Sequence, residues 1–506
     1  MSDACLLALD AGTTSGRALV VRVDGRVLAS ARRSWGYDTP EDLAPLGRSF
    51  DPDHFWRLLV DAAREALARA PGAEIAGVAA ASQREGIVLL DRADDVLFAS
   101  PNLDLRALME GFAIDAEHAG RVYEVTGHLP SLMFLPARLH WLRAQEPALL
   151  ERTGCVLTLD GWITHMLCGE RIGERAAAAE LGLVDLRSGR WSEELMDLLD
   201  LPVGIYPPLV AAGTAVGKLT ATAAQALSMP EGTVVATAGA DTHCATLAMR
   251  VLEPGEVSIV AGSTGPLQMA LDRLALDERR RIWTGLHPLP GRWLLESTAS
   301  EAGSAYRWLG EMAFRLRPSN EGKTFAAMDR EALGYPPGAA GVSAFLGPCH
   351  MDMTRLALRR GGVLLHTPLS AAPAARGQLA RAAIENLAFA FRANVEQLSE
   401  ISGLPPARIV LGGGLSQSEC LRQVLPAVLG GSLELAATAE TSALGASMCA
   451  AVGAGLYPGM RTAAAAMGRG GASLQPDAAA ALEYEDLYRS WTREAEALNG
   501  MSEAAP

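Results

Sequence analysis

The chain has 506 residues, more than one hydrophobic core organises, so two large domains are expected. Hydrophobic residues make up 49% and charged residues 20%, the composition of a globular enzyme. A formal net charge of −14, with Lys218 and Lys323 as the two lysines, argues against a nucleic-acid surface and requires any phosphate site to be built locally from backbone amides and a metal ion.

The seven cysteines (5, 155, 168, 244, 349, 420 and 449) form no CxxC or His/Cys cluster. They support neither a structural zinc nor a disulfide frame, and a reducing cytoplasm is the expected location. No apolar run of about 18 residues predicts a membrane-spanning helix. The first residues lead into a strand-like run without a basic region or cleavage site, so no secretory leader is expected.

In chain order, Cys5–Leu9 and Ala18–Val23 read as strands around the turn Asp10-Ala-Gly-Thr-Thr-Ser-Gly16, and Asp24-Gly25 marks a hairpin before a third strand over 26–30. His54–Ala70 has helical spacing, with Asp51 or Asp53 as cap and Pro71-Gly72 as stop. Ile75–Ala81 reads as a buried strand ending at Ser82-Gln83-Arg84-Glu85-Gly86. Alternating strands and helices to about residue 247 predict an α/β domain over 1–249. A second domain over 250–506 opens on Val257–Ala261, Gly262-Ser263-Thr264-Gly265 and Pro266–Leu271, a weak echo of the opening strand, turn and strand. Helices are predicted over Arg376–Glu400, to about Leu429 after Gly412-Gly413-Gly414, and over Thr441–Ala454. The last seven residues are expected to fray.

Four constellations could carry chemistry. Asp10 with Thr13, Thr14 and Ser15 presents an acid, three hydroxyls and successive amides at one turn, which suits phosphates and magnesium; a solvated polar hairpin is the competing reading. Gly262–Gly265 is a second turn of that kind. In Gly239-Ala-Asp241-Thr242, an acid at a strand end can accept a hydroxyl proton during phosphoryl transfer, or can simply cap the helix that follows. His243 beside it reads as a packed histidine. Arg84 and Glu85, with Asn102, Asp104 and Arg106 after the next strand, offer donors and acceptors to a polyhydroxylated substrate, or form a salt-bridged surface loop. Gly322-Lys323-Thr324 lacks the first glycine of a P-loop, because Arg317 stands there, and reads as an exposed polar loop. The glycines at 412–414 do not form a dinucleotide fingerprint.

Taken in order, DAGTTSGR, SQREG, GADTH, AGSTG, LGGG and AETSALGAS resemble the motifs of the FGGY carbohydrate kinases, across nearly the whole chain. The resemblance implies a two-lobed, actin-like and ribonuclease H-like α/β ATPase fold with an interlobe cleft. It implies ATP and Mg2+ as cofactors, a small sugar or polyol as substrate, and often a homodimer; no nucleic acid and no membrane enter it. Asp10 would hold the metal, with Thr13, Thr14 and Ser15 around the phosphates and Thr264 on the β- and γ-phosphates. Asp241 would be the general base, with Arg84, Glu85 and Asp104 on the substrate. Gly303, Arg307, Gly413 and Gly414 would lie against the nucleotide. SQREGIVLLD, SPNLDLRA and LTLDGWITHMLCGE are similar to the autoinducer-2 kinase branch of the family; xylulose/ribulose-type and glycerol-type kinases are the alternatives. Met133 and Thr242 stand where glycerol kinases carry an aromatic residue and a glutamine. Gly347–Asp352 replaces a GER-type turn, and the turn after Gly414 is one residue longer than is usual. A non-catalytic, actin-like ATP-binding regulator is the reading from another class.

Overall fold

The computed structural model describes residues 3–355, 360–365 and 375–503. The chain divides into two compact units, the first being Met1–Leu252 with Ala270–Leu294 and Glu440–Arg469, and the second Glu253–Met269, Leu295–Ala439 and Gly470–Pro506. Among the described residues, no helix is long and apolar enough to cross a membrane.

In the first unit, β1 (Cys5–Ala11) pairs antiparallel with β2 (Ser15–Arg22), which pairs with β3 (Val27–Ser34). On its other side β1 runs parallel to β4 (Ile75–Ser82), then comes the parallel strand Val234–Ala240, then the antiparallel edge Ala215–Lys218. The opening run CLLALDA does not alternate because both faces of this sheet are covered. Leu7 and Leu9 pack with Phe55 and Leu59 of the helix Pro52–Arg69. Leu6 and Ala8 pack on the opposite face with Leu444 and Met448 of the helix Thr441–Gly453. Asp51 caps the first of these helices by accepting from the amides of Asp53 and His54.

The second unit repeats the order. Glu256–Val260 pairs antiparallel with Thr264–Leu271 and parallel with Arg408–Gly412, which runs parallel to Leu433–Ala436, itself antiparallel to Gly470–Leu474. Trp293–Glu301 lies beside Thr264–Leu271 as β3 lies beside β2. The echo in the sequence is thus a repeat of topology.

Two expectations are corrected. Gly322-Lys323-Thr324 is no exposed loop but part of the helix Glu321–Leu333, whose Thr324, Met328 and Ala332 face inward at helical spacing. Residues 500–503 do not fray as expected: they continue the helix Ala478–Glu503, which docks earlier in its length through the buried Tyr484 and Trp491. Residues 504–506 lie outside the described residues.

The helix Thr441–Gly453 is Ala/Gly-rich because backbone must approach backbone. A Cβ on Gly445 would sit 1.9 Å from the carbonyl oxygen of Cys244. Gly445→Ala is therefore expected to cost about 1–3 kcal/mol of stability, as overpacking does. Urea unfolding checks this, and an unchanged midpoint contradicts it.

Candidate functional site

Register brings the first unit's acids together. Asp10 on β1 is level with Ala81 on β4, which is level with Gly239. The next row is Ala11, Ser82 and Ala240. Three parallel strands therefore end side by side at about 4.8 Å spacing. Asp10 lies at the end of one, Gln83–Glu85 just beyond the second, and Asp241 just beyond the third, opening the helix Asp241–Ala248. Gly239, at φ +110°, lies against Glu174: a Cβ there would meet the Glu174 carboxylate at 2.6 Å.

Asp10 is 5% exposed, and its Oδ1 is buried without a hydrogen-bond partner. Burial first, and then the neighbouring Asp241 carboxylate, push its pKa up to about 7. Arg17 opposes this from 4.0 Å but is itself bonded to Glu440 at 2.8 Å. A buried, unpartnered carboxylate oxygen beside a second acid is short of positive charge, and a divalent cation fits that lack. Among the described residues no three His, Cys, Asp or Glu side chains converge as a metal cage. A cation at Asp10 would thus keep waters and ligand oxygens around it, as magnesium does.

The first turn is braced by side chains that the sequence did not single out for this role. Tyr37 donates its hydroxyl to the Thr13 carbonyl at 2.6 Å and accepts from Gln83 Nε2 at 2.8 Å. Trp35 Nε1 donates to the Gly12 carbonyl at 3.2 Å, and Asn102 Nδ2 to Thr13 Oγ1 at 3.1 Å. Thr14 is exposed, whereas Ser15 is buried at the start of β2.

Arg84 and Glu85 stand together after β4, their side chains 3.7 Å apart, with Glu85 at φ 54°. The buried Arg138 donates to the Glu85 carbonyl. Arg84 Nη1 donates to Glu180 Oε2 at 3.1 Å, and the guanidinium lies 5.6 Å from the Trp283 ring centre. Asp104 is fully buried; its carboxylate accepts from Arg106 Nε at 2.8 Å and from the Arg48 amide at 2.9 Å. It holds the turn that carries Asn102. Glu180, which the sequence does not mark, joins this group through Arg84, and the Thr242 hydroxyl beside Asp241 is buried without a hydrogen-bond partner.

In the second unit, glycines again let backbones meet. Gly303 opens the helix Gly303–Phe314, and its amide donates to the Gly262 carbonyl at 2.9 Å, while Ser304 donates to the Ser263 carbonyl at 3.1 Å. A Cβ on Gly303 would lie 2.4 Å from Gly262 O, and one on Gly413 (φ +83°) would lie 2.7 Å from Ala261. Thr264, Gly303 and Gly413 thus converge on the turn Gly262–Gly265. Gly414 has open space around it, and Arg307 pairs with Glu321 over the Phe325 ring.

The Asp10 titration has a definite sign. The folded state holds a proton that the unfolded chain releases at about pH 4, so stability falls as pH rises towards 7. In metal-free buffer, Asp10→Asn should gain about 1–3 kcal/mol over the wild type between pH 5 and pH 8. Denaturant titrations across that range check it, and a pH-independent difference contradicts it.

Comparison with known proteins places the chain in a family. Residues 5–248 match the N-terminal domain, and 257–454 the C-terminal domain, of the FGGY family of carbohydrate kinases. YoaC of Bacillus subtilis (strain 168), which bears the name of a sugar kinase, is 32% identical over 84% of each chain. An autoinducer-2 kinase of Yersinia enterocolitica is 29% identical over 96% of this chain and 92% of its own. The crystal structure of a xylulose kinase from Rhodospirillum rubrum superposes with a TM-score of 0.85 at 27% identity, covering 99% of this chain and 100% of the other. Members of this family are ATP-dependent kinases of small sugars. The chain belongs to the FGGY family of carbohydrate kinases.

Proposed function

We propose that this kinase phosphorylates a hydroxyl of a short, open-chain sugar or sugar-like signal molecule, with autoinducer-2 as the first candidate and Asp241 as the general base. The observation that carries the reading is the strand register, which sets Asp10 and Asp241 at the ends of two parallel strands that flank β4 in one unit. The first phosphate turn and the substrate residues lie within 1–249, and the nucleotide residues Thr264, Gly303, Arg307, Gly413 and Gly414 within 250–506.

Magnesium, when bound, neutralises charge on the β- and γ-phosphate oxygens of ATP. Asp10 would hold that cation through its unpartnered Oδ1, with Thr13, Thr14 and Ser15 around the phosphates. Asp241 accepts the proton of the acceptor hydroxyl as that oxygen bonds to the γ-phosphorus of ATP and the bond to the bridging oxygen breaks, releasing ADP. Its Oδ1 already accepts from the Thr242 amide at 2.7 Å, which fixes the carboxylate. Arg84 donates to substrate oxygens and Glu85 accepts from substrate hydroxyls. Asp104 acts by holding the 101–106 turn.

The autoinducer-2 reading is supported by the relatives of that name, while Met133 and Thr242, which stand where a glycerol kinase carries other residues, count against glycerol. Xylulose is the second reading, favoured by the likeness to the Rhodospirillum rubrum structure.

A coupled ADP-release screen with autoinducer-2, D-xylulose, D-ribulose and glycerol, followed by mass analysis of the product, tests this. Acceptor-dependent ADP release with a phosphorylated product is expected, fastest with autoinducer-2. ATP turnover indifferent to every acceptor would instead favour a non-catalytic regulator. Asp241→Asn should leave ATP binding in place and lower turnover by ~10² or more; unchanged turnover would remove Asp241 from the role of base.

A further inference from the structure

Behind the proposed substrate residues, three side chains converge on one buried carboxylate. Glu180 is 2% exposed. Its Oε2 accepts from Arg84 Nη1 at 3.1 Å and stands 3.6 Å from His128 Nε2, and its Oε1 stands 3.4 Å from His243 Nε2. The backbone makes room for it: a Cβ on Gly285 would meet Oε1 at 2.8 Å. Trp283 walls the group, 5.6 Å from the Arg84 guanidinium and 5.9 Å from the His128 ring, and is anchored by its own indole N–H on the Leu129 carbonyl at 2.6 Å.

The protonation of His128 follows from what faces each nitrogen. Nδ1 lies 2.5 Å from the Thr126 carbonyl, which can only accept, so Nδ1 carries a proton. Nε2 faces a carboxylate, so a neutral ring would aim a lone pair at negative charge. A ring protonated at both nitrogens suits both neighbours, the Thr126 carbonyl through a hydrogen bond and Glu180 through charge. The ring is 1% exposed, and a buried cation of this kind stands only with its counter-ion.

We propose that the buried Glu180–His128 ion pair is the positioning device for Arg84, aiming its guanidinium at the sugar, and that it does so only while His128 is doubly protonated. This rests on the reading of Arg84 as a substrate contact. The charges facing the ring are Glu180 and Arg84, with His243, Glu174 and Glu85 around them. Burial alone lowers the basicity of His128, but the Glu180 charge and the Thr126 carbonyl outweigh it and hold the ring above the ordinary histidine value. Burial likewise favours the neutral form of Glu180, yet His128, His243 and Arg84 keep it ionised well below the usual range. His243 contributes electrostatically, since neither of its ring nitrogens makes a hydrogen bond. Loss of the His128 proton leaves Oε2 facing a lone pair, and Glu180 and Arg84 must shift together.

The test separates aim from chemistry. With D-xylulose and autoinducer-2 as probes, Glu180→Gln should raise the sugar KM about tenfold or more, leaving kcat and the ATP KM near wild type; Glu180→Asp should recover part of the loss. In the wild type the sugar KM should climb with pH above neutrality, whereas in His128→Gln it should be high already at pH 6.5 and flat. Ring 15N spectra of the unsubstituted protein need no variant to fold, and should show a histidine, absent in His128→Gln, that stays doubly protonated above pH 6.5. Arg84→Ala calibrates the result. If it raises the sugar KM while folded Glu180→Gln and His128→Gln do not, the positioning role is wrong and the substrate reading stands. If Arg84→Ala changes nothing, the substrate reading fails and the positioning role with it. A neutral His128 at pH 6.5 overturns the proposal directly.

Discussion

The site depends on one electrostatic constraint: the Asp10 carboxylate is buried at the end of its strand with one oxygen unpartnered, and the Asp241 carboxylate lies close enough to push its pKa up. The sheet imposes this. Hydrogen-bond register between β1, β4 and Val234–Ala240 fixes Asp10, and the strand end that leads into Asp241, within a ladder buried on both faces. The first unit then adds further buried acids behind the strands. Asp160, near the Ser82 hydroxyl, is pushed up to about 7 by burial and then by Glu174. At Asp10 the protein leaves one buried carboxylate oxygen without a hydrogen-bond partner.

The two units build their small-residue turns in the same way. A strand ends, a short turn of small residues follows, and a second strand returns antiparallel, with a parallel neighbour alongside. In the first unit the turn is steadied by Trp35, Tyr37 and Asn102. In the second it is steadied by backbone: the amides of Gly303 and Ser304 are spent on the Gly262 and Ser263 carbonyls, which is possible only without a Cβ at 303. A duplicated scaffold thus carries two differently supported turns.

Much of this was legible in the sequence. Strand ends with an acid or glycine after an apolar run, such as Leu9-Asp10 and Leu411-Gly412, mark positions where a buried strand emerges, and their order carried the family resemblance. The helix bounds were close because caps and stops such as Asp51 and Gly72 act locally. What stayed hidden depends on partners far apart in the chain. His243 read as a packed histidine, and Glu180 and His128 as nothing in particular, because their meaning lies in contacts between residues 84, 128, 180 and 243. Asp104 looked like a substrate contact because a polar cluster in sequence does not show that Arg106 and the Arg48 amide already occupy its oxygens. Gly322-Lys323-Thr324 looked like a loop because its local polarity hid the helical spacing of Thr324, Met328 and Ala332.

The account's central claim is that the buried charge deficit at Asp10 is the seat of the metal–nucleotide complex. Calorimetry of Mg·ADP binding at pH 7, in buffers of differing ionisation enthalpy, measures the protons displaced. With Asp10 titrating at about 7, binding should release roughly half a proton in the wild type and none attributable to this group in Asp10→Asn. Binding without proton release in the wild type, or with equal release in both proteins, would contradict the claim.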